Sequence, residues 1–183
     1  MNFIPTDLEG CIIIEPRLLH DERGYFMESY NEKRFREVLG HEIHFVQDNQ
    51  SFSSKGVLRG LHYQTSVHSQ AKLVRVLTGK VLDVAVDIRP ESATYGKHVV
   101  VLLSEENQRQ LFVPRGFAHG FVVLSETATF FYKCDNFYNK ESEGGIIFND
   151  ESINIDWQLN EQELIISEKD MGLPKLADAK KIW

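Results

Sequence analysis

Residues 81–88, Val81-Leu82-Asp83-Val84-Ala85-Val86-Asp87-Ile88, decide the fold class, because their side chains alternate with a period of two. A β-strand has this period, since its successive side chains point to opposite faces of the sheet. One face of the predicted strand carries Leu82, Val84, Val86 and Ile88, and the other carries Asp83, Ala85 and Asp87. The stretch therefore predicts a strand with one continuous apolar face.

Strand patterns continue on both sides of this stretch. Residues 72–77 form a second pattern, and the Thr-Gly-Lys sequence at 78–80 predicts a hairpin turn between the two strands. Further strands are predicted at residues 10–14, 57–63, 98–103, 110–113, 120–124 and 129–133. Many short strands separated by turn residues are typical of β-sandwiches and jelly-roll barrels.

Helical patterns are few. Asn31 is placed to cap a short helix that ends at Gly40. The apolar side of this helix would carry Phe35, Val38 and Leu39. Residues 167–170, Ser-Glu-Lys-Asp, resemble the start of another helical turn. We therefore expect an all-β sandwich or jelly-roll barrel with a few short peripheral helices, formed by residues 1–183 as a single domain.

Net charge narrows the classes of partner. The chain has 183 residues and a formal net charge of −7 at pH 7. This balance argues against a duplex nucleic-acid binder, because such proteins usually present a basic surface. It still allows a small anionic ligand, since a few basic side chains in one cleft create a local positive field.

Localisation is indicated by the apolar runs and the cysteines. No apolar run approaches the length needed to span a bilayer, and residues 1–7 lack a signal-peptide pattern. Cys11 and Cys134 are the only cysteines and form no CxxC pair or metal-binding spacing. We therefore expect no membrane partner, no disulfide framework and a cytoplasmic location.

Two polar clusters lie in predicted strands. His62 stands in the segment 59–64 beside Gly60, where an imidazole can take up a proton near neutral pH. Taken alone, a strand histidine is more often structural or exposed, and the local motif does not decide between the two. Lys72 shares its strand face with two valines, so it either extends to the rim or is held inside by an anionic partner.

Two further clusters combine aromatic and polar side chains. His119 lies in the glycine-flanked segment 114–121, where it can donate to an oxyanion or phosphate or simply belong to a structural turn. Tyr132 lies in the aromatic strand 129–133, for which packing in the core is the alternative to acid catalysis.

Seven stretches taken together resemble the dTDP-4-dehydrorhamnose 3,5-epimerase family along nearly the whole chain. They are Asp-Glu-Arg-Gly at 21–24, Phe-Val-Gln-Asp-Asn at 45–49, Val-Leu-Arg-Gly-Leu-His at 57–62, Lys-Leu-Val-Arg at 72–75, Asp-Val-Ala-Val-Asp-Ile-Arg at 83–89, Phe-Ala-His-Gly-Phe at 117–121 and Tyr-Lys at 132–133. Each stretch is weak alone, but their shared order is specific.

The resemblance implies a fold and a reaction. The fold would be a cupin-type jelly roll that forms homodimers, with strands of one subunit completing the sheet of the other. The substrate would be dTDP-4-dehydro-6-deoxy-D-glucose, and inversion at C3 and C5 would give dTDP-4-dehydro-L-rhamnose, the precursor of dTDP-L-rhamnose for cell-surface polysaccharide. No cofactor or metal is implied, because the C4 ketone acidifies the hydrogens on both neighbouring carbons.

The resemblance also implies residue roles. His62 would be the base, and Asp170 would orient its imidazole. Tyr132 would deliver a proton from the other face of the sugar, and Lys72 would stabilise the enolate oxygen. The implied substrate-binding residues are Arg23, Glu28, Gln47, Asp48, Asn49, Arg59, Lys72, His119, Tyr138, Glu143 and Lys169. Among them, Tyr138 would stack on thymine.

Strand geometry raises one conflict with these roles. Arg59 and His62 fall on opposite faces of a regular strand, so both reach one pocket only if the strand bends, bulges or places one of them at the rim. Gly60 between them favours a bulge.

Three rival functions are weighed against this one. A metal-dependent cupin usually presents a His-x-His pair. Here the second position of such a pair, two residues after His62, is occupied by Gln64. A non-catalytic sugar- or nucleotide-binding module would need the basic residues but not the base, acid and lysine together. A single-centre epimerase, which inverts only C3 or only C5 of a related dTDP-4-keto-deoxysugar, remains open.

Overall fold

Strands are the main regular elements of the computed structural model, which describes the whole chain, Met1–Trp183. The strands are β1 (Asn2–Pro5), β2 (Ile12–Glu15), β3 (Leu19–Asp21), β4 (Gly24–Phe26), β5 (Gln47–Ser54), β6 (Val57–Gln64), β7 (Lys72–Thr78), β8 (Lys80–Asp87), β9 (His98–Ser104), β10 (Gln110–Val113), β11 (Phe117–Val123), β12 (Thr127–Cys134), β13 (Glu143–Gly145) and β14 (Ile165–Ile166). The helices are α1 (Glu32–Leu39) and α2 (Glu168–Met171), with 3₁₀ turns at Ser66–His68, Lys140–Ser142, Glu161–Glu163 and Leu176–Asp178. Neither α-helix has the length or apolar composition needed to cross a membrane.

These strands form two sheets that face each other. The first sheet has the order β1-β2-β10-β7-β12-β5. The second has the order β13-β6-β11-β8-β9, and β14 adds to β6 in parallel. β3 and β4 pair only with each other, as a hairpin outside both sheets. The expected all-β jelly roll is confirmed.

Apolar side chains form three clusters, one between the sheets and one on the outer face of each sheet. Val74 and Phe121, from opposite sheets, both belong to the inner cluster. Phe35 of α1 belongs to the cluster on the outside of the first sheet. The C-terminal segment, which includes Ile146 and Trp157, covers the outside of the second sheet. Burial of apolar surface in these three layers holds the sandwich together.

Strand β8 is buried on both faces. Its apolar face packs outward under the C-terminal segment, where Leu82, Val84 and Val86 join the outer cluster. Its other face looks between the sheets, where Ala85 joins the inner cluster. Asp83 and Asp87 therefore lie inside the sandwich with 0% exposure. The predicted alternation is confirmed, and its acidic face is the interior one.

The predicted hairpin at 78–80 is wrong. Gly79 does make a turn with φ of +81°, but β7 belongs to the first sheet and β8 to the second. The turn is instead a corner that carries the chain from one sheet to the other. It is a crowded corner, because a Cβ at Gly79 would lie 2.1 Å from the Thr127 carbonyl oxygen.

Helix α1 forms as the capping residues predict. The Asn31 side chain accepts a hydrogen bond from the backbone of Arg34, and Gly40 ends the helix with φ of 75°. Phe35 is its one buried residue. Val38, which we expected on the apolar side, is 44% exposed, because a helix of eight residues covers the sheet along a narrow stripe.

Strand β5 is the longest element that the sequence pattern does not reveal. It pairs with β12 from Gln47↔Cys134 to Ser54↔Thr127. Its sequence, Gln-Asp-Asn-Gln-Ser-Phe-Ser-Ser, has almost no apolar alternation. The reason is that its inward residues face a polar cleft instead of the core.

Candidate active site

A cleft between the two sheets gathers most of the expected site residues. It consists of two adjoining cavities of about 630 Å³ and about 310 Å³. Four residues line both cavities: Asn49, His62, Lys72 and Tyr132. His62 comes from the second sheet and the other three from the first, so the imidazole and the phenol face one space from opposing walls. The C-terminal residues 165–170 line the larger cavity.

His62 and Asp170 form a hydrogen-bonded pair. The imidazole Nε2 lies 2.8 Å from Oδ1 of Asp170, and the Gly60 amide donates to Oδ2 at 3.2 Å. Asp170 reaches this position on α2, whose first turn is capped by the Ser167 side chain. The expected partner of the base is therefore in contact with it.

The charge of Asp170 is stabilised inside the protein. Burial alone would raise the pKa of this carboxyl, but hydrogen bonding to His62 and the Gly60 amide brings the pKa below its usual value. A charged carboxylate can only accept a hydrogen bond, so Asp170 fixes the N–H of the His62 ring on Nε2. Nδ1 has no protein partner and is the ring nitrogen available to a substrate.

Tyr132 and Lys72 occupy the facing wall. The Lys72 Nζ lies 6.0 Å from the centre of the Tyr132 ring. Burial raises the pKa of Tyr132, which keeps the phenol protonated. Burial lowers the pKa of Lys72, and the charges of Cys134, Asp83 and Glu143 offset the loss of water only in part. A proton donor and a cation thus stand opposite the His62 imidazole.

Arg59 and His62 line the same cavity, so the strand conflict is resolved. The register between β6 and β11 shifts between His119 and Phe121, opposite Gly60. Gly60 has φ of +122°, and a Cβ there would lie 2.6 Å from the Gly120 Cα. A glycine therefore permits the irregularity that turns Arg59 toward the cleft. Ser53 accepts hydrogen bonds from the Arg59 guanidinium, a contact that the sequence did not indicate.

His119 forms a second histidine–aspartate pair, with Asp83. Its Nε2 lies 3.0 Å from each carboxylate oxygen, and the side chains are 7% and 0% exposed. The sequence indicated His119 but not Asp83. The sequence did carry a signal for Asp83. This aspartate stands on the second face of a strongly apolar strand, and both faces of β8 are buried.

The smaller cavity is lined by polar and aromatic groups. Gln47 donates to Asn49 at 3.0 Å along β5. The Tyr138 hydroxyl donates to Glu143 at 3.2 Å, and Lys169 pairs with the same carboxylate. Burial would raise the pKa of Glu143, but the Lys169 hydrogen bond and charge lower it below its usual value. This arrangement suits a base and a ribose, with an exposed aromatic ring at its edge.

The cleft holds two basic side chains, Arg59 and Lys72, that make no salt bridge, although the chain as a whole is acidic. Arg59 is bound by a hydroxyl alone, and Lys72 has no carboxylate partner. Both are therefore free to meet an anion in a space partly shielded from solvent. No three histidine, cysteine, aspartate or glutamate side chains converge closely enough to hold a metal ion.

Three expected binding residues do not line the cleft of this chain. Asp48 points away from it and pairs with Lys133, because strand alternation puts only Gln47 and Asn49 inward. Its side chain therefore lies outside the cleft, and the expected contact of Asp48 with substrate stays a prediction. Arg23 lies in the β3–β4 turn paired with Asp21. Glu28 accepts a hydrogen bond from Asn31 beside α1.

Comparisons with known proteins agree with this geometry. A family described as dTDP-4-dehydrorhamnose 3,5-epimerase matches residues 5–178. The Shigella flexneri protein of that name is 55% identical, over 98% of each chain. A solved dTDP-4-dehydrorhamnose 3,5-epimerase from Elizabethkingia anophelis is 59% identical, has a TM-score of 0.96 and covers 100% of this chain and 99% of its own. The Legionella pneumophila enzyme, solved with dTDP-4-keto-L-rhamnose, is 52% identical with a TM-score of 0.92 and coverage of 97% and 93%.

Proposed function

This chain belongs to the dTDP-4-dehydrorhamnose 3,5-epimerase family, and on that premise we propose how its cleft acts. It inverts C3 and C5 of dTDP-4-dehydro-6-deoxy-D-glucose to give dTDP-4-dehydro-L-rhamnose, a step of dTDP-L-rhamnose biosynthesis. The observation that carries the assignment is the His62–Asp170 pair facing Tyr132 across one cavity. A base on one wall and an acid on the other are what inversion of a carbon requires.

The steps follow from the chemistry of the ketone. His62 removes the hydrogen from C3 or C5 as a proton, and the electron pair of the C–H bond delocalises onto the C4 oxygen as an enolate. Lys72 stabilises that oxygen with its positive charge. The O–H of Tyr132 returns a proton to the opposite face of the same carbon, which inverts it. One inversion leaves His62 with an extra proton and Tyr132 as a phenolate, and proton exchange with solvent restores both side chains before the next inversion. Only protons move, so no oxidant or reductant is required.

The remaining polar residues bind the nucleotide and the sugar. Arg59 serves the anionic oxygens of the diphosphate, because charge-assisted hydrogen bonds are the strongest available to it, and His119 contacts the substrate beside it. Gln47, Asn49 and Glu143 bind from the smaller cavity and Lys169 binds from the larger one, with Tyr138 stacking on thymine. Their support is that all of them line the cleft next to the catalytic side chains.

A second copy of this chain would complete the site. In one protomer Arg23 stands on an exposed hairpin, whose Tyr25 and Phe26 are 51% and 69% exposed. Exposed aromatic side chains of this size are typical of interfaces. We propose a homodimer in which the hairpin delivers Arg23 and the adjoining Glu28 to the cleft of the partner.

The reaction takes place in the cytoplasm in this proposal. Both cysteines, Cys11 and Cys134, are free and buried, which fits a reducing compartment.

Deuterium incorporation tests the proposed function. The protein is incubated with dTDP-4-dehydro-6-deoxy-D-glucose in deuterated water, and the product is analysed by NMR. Deuterium at both C3 and C5 with the L-configured sugar is the expected result. Deuterium at one centre would instead assign a single-centre epimerase, and no exchange with intact nucleotide binding would assign a binding module.

A further inference from the structure

Two histidine–aspartate pairs lie side by side in the wall of the cleft. His119 on β11 is the cross-strand neighbour of His62 on β6. Asp170 reaches His62 from the C-terminal segment, whereas Asp83 reaches His119 from strand β8. The proposed reaction uses the first pair as its base and leaves the carboxylate of the second without a task.

Asp83 has one hydrogen-bond partner in the interior, although its charge also acts on Lys72. It is 0% exposed, and its only side-chain hydrogen bonds are the two to Nε2 of His119. Burying a carboxylate is costly, and a well-packed apolar replacement for a buried ion pair is often neutral or stabilising. Stability alone therefore gives no reason for a charge at this position.

Asp87 shows what a structural aspartate looks like on the same face of the same strand. It is also 0% exposed, but it binds Arg89, Ser92 and Thr94 in the loop after β8. None of these residues lines the cleft. Asp87 anchors a loop, whereas the single hydrogen-bond partner of Asp83 is His119, which lines the cleft.

The His119 ring is held in two ways. Its plane stacks on Phe130, with the ring centres 6.1 Å apart and an angle of 25° between them. Its rotation is set by the carboxylate, which takes Nε2 with both oxygens. Nδ1 has no protein partner, so it is the one ring nitrogen that a ligand can engage.

We propose that Asp83 is a positioning residue for the epimerisation, acting through His119. It holds the imidazole with Nε2–H donating to the interior carboxylate, and it leaves Nδ1 available to accept a hydrogen bond from a hydroxyl group of the bound substrate. This inference rests on the proposed function, because it assigns a task within the same cleft. It makes the active site a pair of dyads, one for moving protons and one for holding the substrate in place.

A double-mutant cycle tests whether Asp83 acts through His119. The variants are Asp83→Asn, His119→Asn and the two combined, with Asp87→Asn as the matched control. We expect Asp83→Asn to lower kcat/KM by about 10- to 100-fold, the effect of losing a charge-assisted hydrogen bond. In the His119→Asn background the same change should cost less than about twofold. Asp87→Asn should lower the melting temperature and leave kcat/KM within about twofold of wild type.

Three kinetic results would overturn the proposal. They are Asp83→Asn within twofold of wild type, His119→Asn within twofold of wild type, and the same loss from Asp83→Asn in both backgrounds. The third result would show that Asp83 acts independently of His119. Turnover by the wild-type enzyme is measured in the same series, so failure of the proposed function would appear there first.

If Asp83→Asn does not fold, a measurement on the wild-type protein still tests the proposal. Histidine ring nitrogens are followed by ¹⁵N NMR, and the His119 signals are assigned by their loss in His119→Asn. Saturation with the equilibrated keto-sugar nucleotide should shift Nδ1 of His119 and leave Nε2 nearly unchanged. An unchanged Nδ1, with His62 signals that do respond, would refute the positioning role while leaving the proposed function intact.

Discussion

The two nitrogens of His62 have different surroundings, and this difference defines its chemistry. Nε2 faces the Asp170 carboxylate at 2.8 Å, while Nδ1 is open to the cleft. Tyr132 on the facing wall keeps its hydrogen because burial raises its pKa. An imidazole nitrogen without a protein partner thus faces a phenol that keeps its hydrogen, which is the arrangement that one inversion needs.

Replacement of His62 should separate catalysis from binding. We expect His62→Ala to lower kcat by about 10²–10⁴-fold, the usual effect of removing a general base, or roughly 3–5 kcal/mol of barrier. Affinity for dTDP, measured by calorimetry, should change little, since the contacts to the nucleotide remain. His41→Ala, outside the cleft, is the control. Near-normal turnover of His62→Ala would remove the base assignment.

The sequence identified the chemical types at this site better than their partners. His62, Lys72 and Tyr132 stand in recognisable strands, so their face and their neighbours could be reasoned from alternation. Asp170 is separated from His62 by 108 residues, and only the family resemblance paired them. Asp83 escaped notice because an aspartate between apolar residues suggests a solvated face until the second layer of packing is known.

At the scale of elements, the irregularity in β6 determines what the cleft contains. Gly60 allows β6 to approach β11 so closely that a Cβ would fall 2.6 Å from Gly120 Cα and 2.7 Å from the His119 carbonyl oxygen. We expect Gly60→Ala to lower the free energy of unfolding by about 2–4 kcal/mol, from strain at positive φ together with overpacking. Because Arg59 and His62 flank this position, turnover should fall as well.

Gly40→Ala is the matched control for that substitution. Gly40 also has positive φ, at +75°, but a Cβ on this residue would meet nothing within 4 Å. The variant should therefore show the backbone cost alone, about 1 kcal/mol, with unchanged turnover. Urea unfolding and steady-state kinetics measure both effects. Equal losses of stability in the two variants would show that the close approach of β6 and β11 is not tight.

The loop after β8 should make stability depend on pH. Burial opposes the charge of Asp87, but hydrogen bonds from Arg89, Ser92 and Thr94 prevail and lower its pKa from 3.8 to about 2. The resulting stabilisation is fully present above about pH 4 and is lost as the pH falls through about 2, because the folded state then has to take up the proton. It amounts to about 2 kcal/mol.

Asp87→Asn isolates this contribution. Between pH 5 and pH 2 the wild-type protein should lose about 2 kcal/mol more unfolding free energy than the variant, measured by urea titration at each pH. Parallel pH profiles for the two proteins would contradict the assignment of acid sensitivity to Asp87.

Strand prediction succeeded where one face of a strand is apolar. β8, β9 and β10 have that pattern, and the structure places them close to the predicted boundaries. It failed for β5, whose inward side chains serve a polar cleft. It also misread the turn at Gly79, because turn residues specify a reversal of direction but not the sheet in which the next strand lies.

At the scale of the whole molecule, one protomer leaves part of its expected binding set outside its own cleft. Arg23 and Glu28 lie by the β3–β4 hairpin and α1, away from His62 and Lys72. The proposed dimer explains this placement, because an isologous pair would exchange the hairpin between two equivalent sites.

Mixing two inactive variants tests the exchange. His62→Ala and Arg23→Ala homodimers each have two defective sites, whereas a mixed dimer has one site with both defects and one intact site. Random reassociation should therefore restore about a quarter of wild-type activity, since about half of the dimers are mixed. If Arg23 served the cleft of its own protomer, mixing would restore nothing. Co-expression with two affinity tags and an activity assay of the purified mixed species distinguish these results.

The attachment of Asp170 has a consequence for heat inactivation. This carboxylate lies on a helix of four residues, preceded by a strand of two, and such short elements detach more readily than the central strands. Transient detachment of residues 165–171 would remove the Asp170 carboxylate from His62 while both sheets stayed folded. On gentle warming the enzyme should lose activity several degrees below its calorimetric transition, and it should regain that activity immediately on cooling. The upper temperature limit of activity is then set by how stably residues 165–171 pack against β6, and not by the unfolding of the two sheets.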